Sequence, residues 1–145
     1  MQSLNFKLVT PERVLYEGKV DSLTCPTEMG EVTILPNHVP LVGKVVPGEL
    51  SVRANDHEIF MAVGGGVLEV RPKNEVAVLA DAGELATEID LKRAAEARDR
   101  AQKLMAEKIM NDEEYAEVTA SLERALSRIR VANRKKYKDV GRSTP

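Results

Sequence analysis

Residues 76–105 read VAVLADAGELATEIDLKRAAEARDRAQKLM, and within them the hydrophobic period changes. Val76, Val78 and Ala80 fall on alternate positions, the spacing of a half-buried strand whose successive side chains point to opposite faces. Leu91, Ala94, Ala95, Ala97, Ala101, Leu104 and Met105 recur at three and four, the spacing of one helix face. Between them, Ala80 to Glu88 reads as a linker. The chain therefore divides into a β part before this stretch and an α part after it.

Upstream, period two recurs. Leu4, Phe6 and Leu8 share a side, as do Leu50, Val52 and Ala54, and again Ile59, Met61 and Val63. Turn residues separate these runs at Pro47-Gly48, Asn55-Asp56-His57 and Pro72-Lys73-Asn74. Many short strands with no helical pattern between them predict an antiparallel β-sandwich or barrel of about ten strands over residues 1–87, and argue against a parallel βαβ sheet. Gly64-Gly65-Gly66 lies between two strand patterns, which predicts a bulge or a close backbone approach.

Downstream, Asp90 stands where its carboxylate can cap the first helix. Asn111, with Glu114 three residues on, starts a second helix in a capping-box arrangement. Tyr115, Val118, Leu122, Ala125, Leu126, Ile129 and Ala132 form the stripe of that second helix. Residues 88–138 thus read as an antiparallel two-helix hairpin with a short connection around Lys108–Asn111, and residues 139–145 as a frayed tail. The first arm is alanine-rich, and alanine buries little area. Periodicity alone favours a hairpin closed on itself or on the sandwich; the weak packing also allows one that changes its docking partner at a cost of only a few kcal/mol.

Composition narrows the function. The 145 residues include no Trp, three Tyr and two Phe, so the core is aliphatic and base-stacking surfaces are not expected. Cys25 is the single cysteine. It excludes an intrachain disulfide and reads as a small buried hydrophobe in a reducing compartment. The opening MQSLNFKLVT has no signal pattern, and no apolar run approaches the length of a membrane span.

No catalytic constellation emerges. His38 and His57 are the only histidines, with His57 in an apparent hairpin turn. There is no nucleophile elbow and no phosphate-binding Gly-Lys loop. Asp81, Glu84, Glu88 and Asp90 do not match a calcium loop, and no metal set is expected. The chain reads as a non-enzyme.

Charge is split. Residues 1–90 carry 7 basic and 14 acidic side chains, a net of −7, whereas residues 91–145 carry 14 and 9, a net of +5. Arg124, Arg128, Arg130, Arg134, Lys135, Lys136 and Lys138 crowd the end of the second helix. This exceeds what the helix dipole alone uses and suits an acidic partner.

Residues 30–43, GEVTILPNHVPLVG, hold no charge after Glu31. Pro36 and Pro40 fix backbone angles and remove donors, so the segment around Asn37 and His38 reads as a stiff apolar protrusion. Such a loop suits docking, because little ordering entropy is lost on contact.

The order of these segments resembles the epsilon subunit of bacterial F-type ATP synthase. The resemblance runs from LVTPERVLYEGKVDSLTCPTEMGEVTILPNHVPLV through GELSVR and MAVGGGVLEVRPKNEVAVLAD to IDLKRAAEARDRAQ, and covers the chain to about Lys136. It implies a non-catalytic central-stalk subunit of a proton-translocating machine, peripheral to the membrane on its cytoplasmic face. Its sandwich would bind the gamma subunit and the c-subunit ring, with Glu31, Pro36, Asn37, His38 and Pro40 as interface candidates. Its hairpin would contact the catalytic beta subunits and inhibit ATP hydrolysis, with Arg130, Arg134, Lys135 and Lys136 meeting acidic segments. Some members bind ATP through an Ile/Leu-Asp-x-x-Arg-Ala motif, which Ile89–Ala94 matches. That match makes Glu84, Asp90, Arg93, Ala94, Arg124 and Arg128 candidates for a weak regulatory ATP site, with no cofactor required. Taken from the residues alone, the alternative is a stand-alone β-sandwich binding module whose basic hairpin meets nucleic acid or an acidic protein. The resemblance implies no nucleic acid.

Overall fold

The computed structural model describes the backbone of residues 2–142 and side chains as far as Asn133. The expectations for Arg134, Lys135 and Lys136, and for residues 143–145 of the tail, lie outside the described side chains and backbone respectively.

Ten strands come first: β1 (Leu4–Val9), β2 (Val14–Val20), β3 (Ser22–Thr27), β4 (Gly30–Ile34), β5 (Leu41–Val45), β6 (Gly48–Ala54), β7 (His57–Val63), β8 (Gly66–Arg71), β9 (Glu75–Ala80) and β10 (Gly83–Leu85). A single 3₁₀ turn (Ala86–Glu88) follows, then α1 (Leu91–Glu107) and α2 (Asp112–Arg142). The strands form one continuous sheet in the order β10-β7-β6-β3-β5-β8-β9-β1-β2, with β4 paired to β3. The join between its halves is narrow, since β3 meets β5 only at Thr27 and Val45. The sheet folds over at that join, and both halves contribute to one aliphatic core containing Leu4, Phe6, Leu8, Leu23, Leu50, Val52, Met61, Leu68 and Val78. Of the sandwich or barrel that the period-two pattern leaves open, this is the sandwich.

Several details differ from the sequence reading, among them the end of α2, which continues to Arg142 through residues expected as a frayed tail. The expected linker, Ala80–Glu88, contains β10, which pairs Gly83, Glu84 and Leu85 with Val63, Ala62 and Met61 of β7. Three residues are too few to show alternation, so only the partner strand defines this one. One pairing is parallel: β1 runs alongside β9, with Phe6 opposite Val76 and Leu8 opposite Val78, while the others are antiparallel.

The turns follow their residues. Asn55 and Asp56 both take positive φ, 50° and 63°, closing β6 onto β7 in the two-residue hairpin these residues favour. His57 is therefore the first residue of β7, paired with Ala54, and not part of the turn. At Gly66 a Cβ would lie 1.9 Å from the Leu79 carbonyl oxygen, so β8 enters the sheet where only glycine fits.

The hairpin forms as its caps predict. Asp90 Oδ1 accepts from the Arg93 N–H at 3.2 Å. Asn111 Oδ1 accepts from the Glu114 N–H at 2.8 Å, and Asn111 Nδ2 donates to Glu114 Oε1 at 3.1 Å. Ala94, Ala101 and Ala125 are buried in the hairpin, where small side chains let the helices approach.

The hairpin seam as candidate functional site

The hairpin rests on the outer side of β7. Along β7, Met61 and Val63 point into the sandwich core, while Phe60 and Ala62 point the other way and are also buried. Their cover is Val131 of α2, fully buried against Phe60, Ala62 and Ala86, with Ile89 packed alongside. The run Ile59–Val63 contains no polar residue. An uninterrupted apolar run is the sign of a strand buried on both faces, and it was the available signal for this contact.

An ion pair spans the seam. Arg128 of α2 donates through Nε to Glu84 Oε1 and through Nη2 to Glu84 Oε2, the latter at 3.2 Å. The two side chains keep 27% and 30% of their exposure, so water screens them only in part. Arg124, one turn earlier, is exposed, and its Cδ lies 3.5 Å from where a Cβ of Gly64 would stand.

A second pair stands at the base of the hairpin. Arg13, between β1 and β2, donates through Nη1 and Nη2 to Glu88 Oε2 and Oε1, at 3.0 and 2.7 Å. The side-chain hydrogen bond from Arg13, followed by that from the Leu85 N–H, holds the Glu88 carboxyl below its usual range. Sequence reasoning missed this pair, because nothing in either segment names the other.

The six residues proposed for nucleotide are thus differently engaged. Glu84 and Arg128 bond each other, Asp90 caps α1, and Ala94 is fully buried. Arg93 and Arg124 are exposed. A phosphate approaching Arg128 meets a guanidinium already paired with Glu84.

The proposed docking residues separate into two places. Pro36, Asn37, His38 and Pro40 lie in the loop after β4, where Asn37 takes φ 69° and its N–H donates to Asn74 Oδ1 at 2.6 Å. His38 Nδ1 donates to the Val39 carbonyl oxygen at 2.7 Å. Leu35 and Val39 in the same loop are exposed, so the loop presents apolar side chains outward. Glu31 sits near the other end of β4, paired with Pro26. There it borders a cleft of about 350 Å³ with Thr27, Pro47, Glu49 and Arg130.

A further feature went unread in the sequence. Val67, Leu79, Val9 and Val14 stand opposite one another across β8, β9, β1 and β2. Three of them are well exposed, Val67 at 44%, Leu79 at 55% and Val14 at 47%. The neighbouring row, Glu69, Ala77, Lys7 and Glu17, is mostly charged. The result is an apolar stripe with a polar rim on the sandwich layer away from the hairpin. Cys25, by contrast, is buried, and burial pushes its thiol up to about 12.

A sandwich with an apolar outer stripe and a two-helix arm packed on its other side through the Val131 cluster and the Arg128–Glu84 pair is built as an assembly subunit. No group of three or more potential metal-binding side chains occurs among the described residues. The chain belongs to the ATP synthase delta/epsilon chain family: residues 3–86 match its beta-sandwich domain and residues 87–133 its long alpha-helix domain. Membership makes it a non-catalytic subunit.

Relatives agree along nearly the full length. The ATP synthase epsilon chain of Dehalococcoides mccartyi is 43% identical over 136 residues, 94% of this chain and 96% of the relative. That of Halalkalibacterium halodurans is 38% identical over 134 residues, 92% and 100% of the two chains. Among solved structures, a chain of the Euglena gracilis mitochondrial ATP synthase (OSCP/F1/c-ring, rotational state 1) shares the fold with TM-score 0.75. Its identity is 20%, over 86% of this chain and 78% of that one. A chain of the Tetrahymena thermophila mitochondrial ATP synthase central stalk and c-ring superposes with TM-score 0.66 at 14% identity, over 90% and 97% of the two chains.

Proposed function

We propose that this chain works in the central stalk of a proton-translocating ATP synthase, joining the gamma subunit to the c-subunit ring so that rotation reaches the catalytic head. The observation that carries this reading is the stripe Val67–Leu79–Val9–Val14, an apolar surface with a charged rim. Such a surface is the mark of a protein interface, and a nucleic-acid module would instead present a continuous basic face. The stiff loop at Pro36–Pro40 supplies a second contact, for the c ring. The relatives named ATP synthase epsilon chain support the assignment. Among the described residues no helix is long and apolar enough to cross a membrane, and the chain sits peripherally on the cytoplasmic face through its partners.

The hairpin serves as the regulatory arm. It leaves the sandwich when the Val131 contact and the Arg128–Glu84 pair give way, and its basic second helix then meets acidic segments of the catalytic beta subunits and restrains ATP hydrolysis. No cofactor is required. ATP enters as a weak regulatory ligand whose phosphates compete with Glu84 for Arg128.

Co-purification tests the assembly reading. Leu79→Asp should abolish retention of gamma while leaving the melting temperature of the subunit nearly unchanged, since Leu79 faces outward. Undiminished retention by Leu79→Asp, and by a second variant Val67→Asp, contradicts the stripe as the gamma-binding surface.

A further inference from the structure

The Arg13–Glu88 pair lies at the base of the arm, and its surroundings are built to hold it. The turn that carries Arg13 is fixed by Thr10: its N–H donates to the Arg13 carbonyl oxygen at 2.9 Å, and its buried hydroxyl donates to the same oxygen at 3.1 Å. That hydroxyl also accepts from the Arg13 N–H at 3.3 Å. β10 is pressed onto this turn, since a Cβ at Gly83 would stand 3.0 Å from Leu15 Cδ2 and 3.4 Å from Thr10 Cγ2. Glu88 answers with both oxygens to Arg13, and Oε1 also accepts from the Leu85 N–H at 3.1 Å. Two segments 75 residues apart are thereby joined by a half-exposed pair, and the pairing of β10 with β7 holds the same segment.

Past Glu88 the character changes. Ile89 (φ −73°, ψ 125°) and Asp90 (φ −87°, ψ 103°) are extended. The Asp90 side chain turns to the start of α1, not to the sandwich. Ile89 touches the sandwich through apolar packing at the Phe60–Val131 cluster, the same contact that opens when α2 departs.

We propose that Arg13 is a positioning residue that pins Glu88 to the sandwich, making Ile89–Asp90 the pivot about which the hairpin moves. The inference rests on release of the hairpin as the regulatory motion. β10 and the 3₁₀ turn stay with the sandwich, and the swing is confined to two residues. A bidentate guanidinium–carboxylate pair suits this task, because two parallel hydrogen bonds fix orientation as well as distance. Lysine, a point charge, does not.

The test uses the full chain with spin labels at Lys19→Cys on β2 and Ile109→Cys at the hairpin tip. Cys25 is buried and stays unlabelled. Distances are read by pulsed electron resonance and backbone amides by hydrogen exchange. Arg128→Gln should shift the tip distance and leave exchange of the Leu85 amide unchanged, because the pin holds while the seam opens. Adding Arg13→Gln should broaden the distance distribution and speed Leu85 exchange about two- to fivefold, with Arg13→Lys between the two.

If Arg13→Gln leaves both the width and the Leu85 exchange as in the parent, the pin is wrong. It is equally wrong if Arg128→Gln alone frees Leu85 as much as the hairpin amides, since the pivot would then precede Glu88. An unmoved tip distance in Arg128→Gln counts against release of the hairpin, and the Leu85 exchange in Arg13→Gln still decides the pin.

Discussion

Arg128 and Glu84, 44 residues apart, meet in a two-point ion pair that joins the second helix to the last strand of the sandwich. Because both side chains keep more than a quarter of their exposure, the pair contributes about 1 kcal/mol or less. The pair is thus a minor part of the seam beside the packing of Val131 on Phe60, Ala62 and Ala86. Glu84→Gln or Arg128→Gln should each raise amide exchange across α2 several-fold, and the double variant should add little. Additive single effects in that cycle would show that the two residues do not act together.

Neighbouring residues on β7 separate docking from folding. Met61 faces the core, so Met61→Ala should lower sandwich stability by roughly 2–5 kcal/mol. Phe60 faces α2, so Phe60→Ala should mainly free the hairpin, visible as fast exchange in α2 with protected strands. Equal losses of strand protection in the two variants would contradict opposite facing.

Gly66 fixes the entry of β8. Its φ of 152° and the 1.9 Å approach of a Cβ to the Leu79 oxygen leave no room for a side chain. Gly66→Ala should cost at least about 3 kcal/mol, read as a lowered midpoint in denaturant. A variant within about 0.5 kcal/mol of the parent would show that the β8–β9 approach is wrong.

Acid should loosen the pivot before it unfolds the sandwich. Arg13 first, and the Leu85 N–H second, hold the folded Glu88 carboxyl below its unfolded value of about 4.3. A carboxylate depressed on folding gives stability that is complete above the unfolded value and is lost as pH falls through the folded one. Protection of the Leu85 amide, relative to its intrinsic exchange rate at each pH, should therefore fall below about pH 4, and Arg13→Gln should move the Glu88 titration upward by NMR. A Glu88 titration unmoved by that substitution contradicts the pair.

What the sequence shows follows from which forces act locally. The change of period between Val78 and Leu91, the caps Asp90 and Asn111, and the positive-φ turn Asn55-Asp56 are local choices, and each appears in the structure. Partners distant along the chain are another matter. Nothing in Gly83–Leu85 names β7, nothing in β1 names β9 as a parallel neighbour, and Arg13 carries no mark of Glu88. The motif at Ile89–Ala94 and the cap at Asp90 were both readable, but the burial of Ala94 and the pairing of Arg128 with Glu84 were not.

The central claim is that a lightly latched arm on an assembly sandwich governs hydrolysis. Its most direct test is the ATPase rate of complexes reconstituted with the parent chain, with Arg128→Gln, and with a chain ending at Glu88. The account predicts the fastest hydrolysis with the shortened chain and the slowest with Arg128→Gln, whose arm is released more often. Equal rates for all three across ATP concentrations, with each chain incorporated equally, would contradict it.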